Sequence, residues 1–182
     1  MPSYSDVSPS FLRSCELECY SVLTPLGKVG VAEFEGSICL LEFLDKPESW
    51  EKDYLKHIQC RWSLASHAVW KAENSQRSHW NTSWWTEWAD FPLNLLLIGT
   101  AFQHSVWHAL LDIPKGKVST YKAIAENIGK PNAARAVGQA IGANPISLLV
   151  PCHRVVRSNG QLGGYRWSTP RKQRLLDFEN AL

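Results

Sequence analysis

The sequence predicts an α/β (α+β) chain in two parts: a small sheet domain over residues 15–90 and a mostly helical domain over residues 100–182. Three observations lead to that division. Residues 15–45 alternate apolar and polar side chains between turn signals, the period of half-buried strands. From Thr100 onward the apolar positions recur at helical spacing instead. The charge divides near the same place: residues 1–113 hold 8 basic and 14 acidic side chains, residues 114–182 hold 11 basic and 3 acidic ones.

Taken in order, residues 1–14 read as a flexible tail, since Met1 to Asp6 lack the basic-then-apolar layout of a secretion signal. Leu17, Cys19, Ser21 and Leu23 then alternate with Glu16, Glu18 and Tyr20 as a first strand. Thr24-Pro25-Leu26-Gly27 turns into a second, Lys28 to Phe34, and Glu35-Gly36-Ser37 into a third, Ile38 to Phe43. Residues 46–90 hold seven of the nine tryptophans. Trp84 and Trp85 offer a base-stacking platform, but the area a tryptophan buries favours core and inter-domain packing. Residues 91–99 read as a linker.

The five cysteines, Cys15, Cys19, Cys39, Cys60 and Cys152, are an odd count without small-scaffold spacing, which argues for a reducing compartment rather than a disulfide framework. Cys15 and Cys19 lack a compact Cys/His pair to complete a metal site, so buried thiols are expected, with no metal and no cofactor. No apolar run approaches a membrane span. The expected location is therefore cytoplasmic, or nuclear in a eukaryote, with no membrane partner. A monomer is expected.

Thr100 and Gln103 form a capping-box pattern that opens a helix with Phe102, Val106, Ala109, Leu110 and Ile113 on one face. Pro114 closes it. Ser119 or Thr120 can cap a second helix, Tyr121 to Ile128, stopped by Gly129. A third runs from Ala133 to Ala143, so the pair reads as a helix-turn-helix, with an ordinary helical hairpin as the alternative. Ala133, Val137, Ala140 and Ile141 supply the buried side of this third helix. Its other face shows only Ala134, Arg135, Gly138, Gln139 and Gly142. A major-groove reader usually presents several long polar side chains. A nearly smooth helix instead suits the narrow minor groove, where Arg135 can enter the base stack in place of an extruded base.

The stretch that follows carries the chemistry. Ile146 to Val150 reads as a short buried strand that Pro151 ends, placing Cys152 at the tip of a rigid element with His153 beside it and Arg154 and Arg157 beyond. A thiol is a good nucleophile only as thiolate, which nearby cations or a histidine favour. On a continuing strand His153 would point away from Cys152, so a turn or a water must connect them. The alternative is a buried cysteine that fills space. Gly163 and Gly164 permit a loop around a flat ligand, and Ser168 or Thr169 before Pro170 starts a last helix that Leu175, Leu176 and Phe178 anchor. Glu179 either faces solvent or orients His153.

Together these residues resemble the O6-alkylguanine-DNA alkyltransferases, the methylated-DNA–protein-cysteine methyltransferases, and their bacterial members most. The likeness runs from Thr100 to Glu179: Phe102-Gln103, Val106-Trp107, Ile113-Pro114, Thr120-Tyr121, Arg135-Ala136-Val137-Gly138, Asn144-Pro145, Pro151 to Val155, Gly164-Tyr165, Lys172 and Leu175-Leu176. Residues 1–99 match only loosely, where the family has a ribonuclease-H-like domain before its winged helix-turn-helix-like one. The resemblance implies direct repair of duplex DNA by stoichiometric transfer of an alkyl group from O6-alkylguanine to Cys152, with the base flipped out through the minor groove. O4-alkylthymine is a further candidate substrate.

It also implies roles. His153, through a water and Glu179, would draw off the Cys152 proton; Tyr121 would turn the target phosphate and hydrogen-bond the base; Asn144 would fix the turn before the acceptor. Tyr165, with the backbone at Val155 and Arg166, would line the guanine pocket, and Lys172 would support it. Arg135, Ala134, Gly138 and Gln139, with Tyr121, would meet the DNA. The thioether product has no group placed to cleave it, so one chain would act once. Two departures stand out. Ser168 replaces the usual Gly, implying a stiffer pocket loop, and the zinc ligands some members carry in the N-terminal domain are not reproduced. A damage-binding helix-turn-helix protein without alkyl transfer, and a cysteine hydrolase, remain as other classes.

Overall fold

The computed structural model describes residues 3–14, 16–45, 54, 55, 58, 68–70 and 93–182. They fall into two compact units, Met1–Gly99 and Thr100–Leu182. The architecture is the mixed α/β one expected from the sequence.

In the first unit, β2 (Leu17–Thr24), β3 (Gly27–Phe34) and β4 (Ser37–Phe43) form the expected antiparallel meander. The sheet is larger than that meander. Among the described residues it has six strands in the order β1-β6-β4-β3-β2-β5, adding β1 (Ser3–Val7), β5 (Ala68–Trp70) and β6 (Asn94–Ile98) through parallel pairings.

Two boundaries therefore change. The expected tail contains β1, which pairs with β6 from Ser3↔Asn94 to Val7↔Ile98, followed by a 3-10 helix over Pro9–Ser14. The expected linker contains β6 itself, with Leu95, Leu96, Leu97 and Ile98 all buried. A strand flanked by parallel neighbours is covered on both faces, so its residues form a continuous apolar run rather than an alternating one. Leu17, Cys19, Ala32, Cys39, Leu40, Tyr54, Ile58, Leu96 and Ile98 make one core cluster against the sheet. Trp84 and Trp85 lie outside the described residues, as do Cys15 and Cys60.

In the second unit the sequence signals become caps. The Thr100 hydroxyl accepts from Gln103 N at 3.3 Å and the Gln103 side chain accepts from Thr100 N at 2.8 Å, opening α1 (Ala101–Leu111) with the full capping box. Thr120, not Ser119, caps α2 (Tyr121–Asn127) through Ala123 N at 3.1 Å. Gly129 follows at φ +69, a conformation that suits glycine. Val137, Ala140 and Ile141 bury one side of α3 (Ala134–Gly142), and the Trp107 indole of α1 donates to Ala140 O at 2.9 Å. The structure adds a short parallel pair, β7 (Ser119–Thr120) with β8 (Val155–Val156). The chain ends with α4 (Thr169–Phe178), which has Pro170 in its first turn.

The expected strand over residues 146–150 is absent. Ile146 makes an isolated bridge, residues 147–149 turn, with Leu148 at φ +68, and Val150 bends; Asn144 explains why. Its carboxamide accepts from Ile146 N at 2.9 Å and donates to Val150 O at 2.9 Å and Ile146 O at 3.3 Å, so backbone groups a ladder would need are bonded within the turn.

Candidate active site

Pro151 is followed by a 3-10 turn, Cys152–Arg154. With about three residues per turn, successive side chains leave the axis roughly a third of a circle apart, not opposed as on a strand. Cys152 can thus face one way while His153 and Arg154 face the interior. All three are buried, at 4%, 0% and 4% exposure.

Behind the cysteine lies a charged cluster. His153 Nε2 is 2.9 Å from Glu179 Oε1. Arg154 donates from Nε to Glu179 Oε2 and from Nη2 to Oε1, each at 2.9 Å, and from Nη1 to Ile113 O at 2.6 Å. Glu179 sits at the end of α4, so this helix, anchored by the buried Leu175 and Leu176, delivers the carboxylate. Burial alone would raise the Glu179 carboxyl, but hydrogen bonds from His153 and Arg154 outweigh it and hold it at about 2. Burial lowers His153 despite its bond to Glu179, so the imidazole rests neutral. With Nε2 committed to the carboxylate, Nδ1 is the ring nitrogen left to take a proton.

Burial pushes the Cys152 thiol up to about 11, opposed by a hydrogen bond from Asn144 and by the Lys172 charge. Asn144 Nδ2 is 3.2 Å from Cys152 Sγ. The same amide that folds the turn therefore also points a donor at the sulfur.

Cys152 opens onto a cavity of about 570 Å³ whose walls include Tyr121, Gly138, Ile141, Arg157, Tyr165 and Arg166. Tyr165 is fixed by Ser147, with the two hydroxyls 3.3 Å apart, and its ring meets Trp167 edge-on at 5.3 Å. Burial, then the adjacent Cys152, raise the Tyr121 hydroxyl, which keeps it a donor. Lys172 lies behind the wall. It donates to Val155 O at 2.5 Å and Leu162 O at 2.6 Å, tying the loop to β8, and burial lowers its ammonium to about 8.

Of the residues expected at the site, Cys152, Tyr121, Gly138, Tyr165 and Arg166 line the cavity. Asn144, His153, Glu179, Val155 and Lys172 support it from behind. Arg135, Ala134 and Gln139 lie elsewhere on α3; Arg135 and Gln139 are exposed and Ala134 is half-buried. The sequence reading took Arg154 only as part of a basic flank and missed its clamp on Glu179. A cation between Cys-His and Val-Val needs a buried acid, and residues 114–182 offer just Glu126, Asp177 and Glu179. It also missed Ser147 under Tyr165, and Arg157 and Trp167 in the wall.

The family model for the 6-O-methylguanine DNA methyltransferase, DNA binding domain, matches residues 101–181. A methylated-DNA–protein-cysteine methyltransferase of Candida glabrata is 51% identical over 85 residues, which is 47% of this chain and 41% of that protein. The alignment thus spans less than half of that relative's length. The O6-methylguanine methyltransferase of Mycobacterium tuberculosis is 31% identical in structural alignment, covering 91% of this chain and 93% of that one, with a TM-score of 0.70. The OGT of the same organism, in a structure in complex with DNA, is 33% identical over 90% of this chain and 93% of that one, with a TM-score of 0.70. With 31% identity in a fold matched over nine-tenths of its length, the chain belongs to the 6-O-methylguanine DNA methyltransferase family.

Proposed function

We propose that this chain repairs duplex DNA by moving an alkyl group from O6 of a flipped-out guanine to Cys152, once per chain. The observation that carries this reading is Cys152 Sγ at the wall of a cavity of about 570 Å³, backed by a buried His153–Glu179 pair 2.9 Å apart. A thiol at about 11 is protonated at neutral pH, so a base must act. His153 takes the thiol proton, directly or through a water, and the ionised Glu179 stabilises the imidazolium.

The sulfur then forms a bond to the alkyl carbon as the carbon–O6 bond breaks, and the bonding electron pair stays with guanine. Tyr121, its hydroxyl held protonated, donates to the base as that negative charge develops. The proton gained by His153 returns through it to the purine, balancing the reaction. The thioether leaves Cys152 without a nucleophile, so the reaction ends after one turn. α3 supplies the DNA face: its exposed side is small apart from Arg135 and Gln139, which suits a minor groove about 6 Å wide.

The test is duplex DNA carrying one O6-methylguanine with a labelled methyl. Label recovered on the Cys152 peptide, reaching one equivalent and stopping, is the expected result. Continued turnover would indicate a cysteine hydrolase, and tight binding with no label would indicate a damage-binding protein.

A further inference from the structure

Among the described residues, the cavity wall carries two arginines, Arg157 and Arg166, and no carboxylate. Arg166 lies over the Trp167 ring at 5.6 Å. Arg157 is different. It follows β8 at the start of a tight turn, where its backbone N–H bonds Gln161 O at 2.8 Å and its own carbonyl accepts from Gly160 N at 2.9 Å. Those bonds fix where the side chain leaves the chain, and its guanidinium reaches Gln161 Oε1 at 3.3 Å, a neutral partner. The residue is exposed, and its full positive charge faces the cavity mouth.

Gly163 shows what stands beside it. A Cβ there would lie 2.9 Å from the Tyr121 hydroxyl and 3.5 Å from Arg157 Cγ, so the glycine keeps open the place where those two side chains converge. A guanidinium rooted in a bonded turn, with no carboxylate partner among the described residues, next to a phenol at the entrance of a cavity is the geometry for gripping an anion with two parallel N–H groups. The anion that arrives at this entrance with a flipped nucleotide is its own backbone phosphate.

We propose that Arg157 is a positioning residue that clamps the phosphodiester of the extruded nucleotide, holding the sugar-phosphate at the mouth while the base occupies the cavity. This rests on the cavity being the nucleotide pocket. The clamp holds the flipped state and does not touch the reacting carbon.

The experiment is a cycle on full-length protein with a lesion-bearing duplex in which the phosphate flanking the lesion is replaced, one side at a time, by a neutral methylphosphonate. Arg157→Gln is expected to weaken binding roughly tenfold and to lower the slope of log affinity against log salt by about 0.9, the share of one phosphate. Arg157→Lys should restore the slope while leaving part of the affinity loss, since an ammonium lacks the paired donors. A methylphosphonate at the clamped position should weaken the wild type about as much and leave Arg157→Gln unaffected. Equal weakening of both proteins at every position, with unchanged melting temperatures, overturns the clamp. Affinity is read apart from label transfer to Cys152. A chain that binds but never takes label would defeat the repair reading, while additive losses in a chain that labels normally would defeat only the clamp.

Discussion

His153 Nε2 and Arg154 Nη2 stand the same 2.9 Å from a single oxygen of Glu179, Oε1, while Arg154 Nε holds the other oxygen. One buried carboxylate thus serves a neutral imidazole and a permanent cation together. Removing one member of a buried ion pair leaves an uncompensated charge, which costs about 3–5 kcal/mol.

That cluster makes the protein acid-sensitive in two steps. Burial lowers the His153 pKa, so below the ordinary value of 6.5 the unfolded chain binds a proton that the folded one resists. Stability is full above that pH and falls below it. Glu179 is held at about 2 against an ordinary 4.5, so its contribution is present above 4.5 and is lost as the pH falls toward 2. Together the steps should remove about 3 kcal/mol or more between pH 7 and pH 2.5. Urea unfolding across that range measures it, and Glu179→Gln should start lower and lose the second step. A wild-type profile flat from pH 7 to 2.5 would refute the coupling.

Cys152 and Asn144 give a second prediction. With the thiol at about 11, alkylation by iodoacetamide should keep accelerating through pH 9 and 10, about tenfold per pH unit, because only the thiolate reacts. Asn144→Ala removes the donor 3.2 Å from Sγ and should slow that alkylation roughly tenfold at fixed pH, the effect of one lost hydrogen bond to a charged group. A midpoint near pH 8 in the wild type would show that the sulfur is far less desolvated than its burial indicates.

How much of this was legible beforehand follows from the range of each interaction. The capping box at Thr100 and Gln103, the stop at Gly129 and the meander over residues 17–43 are set within a few residues, and local patterns revealed them. Strands β1 and β6 meet across about 90 residues of chain, and nothing local to Ser3–Val7 announces a parallel partner. The apolar run Leu148 to Val150 looks like a strand because burial, not pairing, selects those residues; Asn144 decides its shape from outside it. Arg154 was misplaced for the same reason, since its partner Glu179 lies 25 residues away.

Ser168 gives a third prediction. It stands at φ +82 and ψ 140, a region that side chains adopt only under strain, and its hydroxyl forms no cap on α4. Ser168→Gly should relieve about 1 kcal/mol and raise the melting temperature by about 2–4 °C. The loop from Gly163 to Trp167 leads directly into this residue, so the same change should loosen the cavity wall. A lower melting temperature would mean that the hydroxyl makes compensating bonds.

The extrusion role proposed for Arg135 gives a fourth prediction. It is exposed near the start of α3 and does not line the cavity, so it has no route to the reacting atoms. Its contribution must therefore come where DNA, not guanine alone, is handled. Holding a base out of the stack costs a few kcal/mol, and a side chain filling the gap returns part of that. Losing about 2–3 kcal/mol of it should slow repair of a duplex about 30- to 150-fold in Arg135→Ala. Reaction of the same variant with free O6-alkylguanine base, where nothing is extruded, should slow far less. Single-turnover rates on both substrates give the comparison, and an equal loss on each would remove Arg135 from the extrusion step.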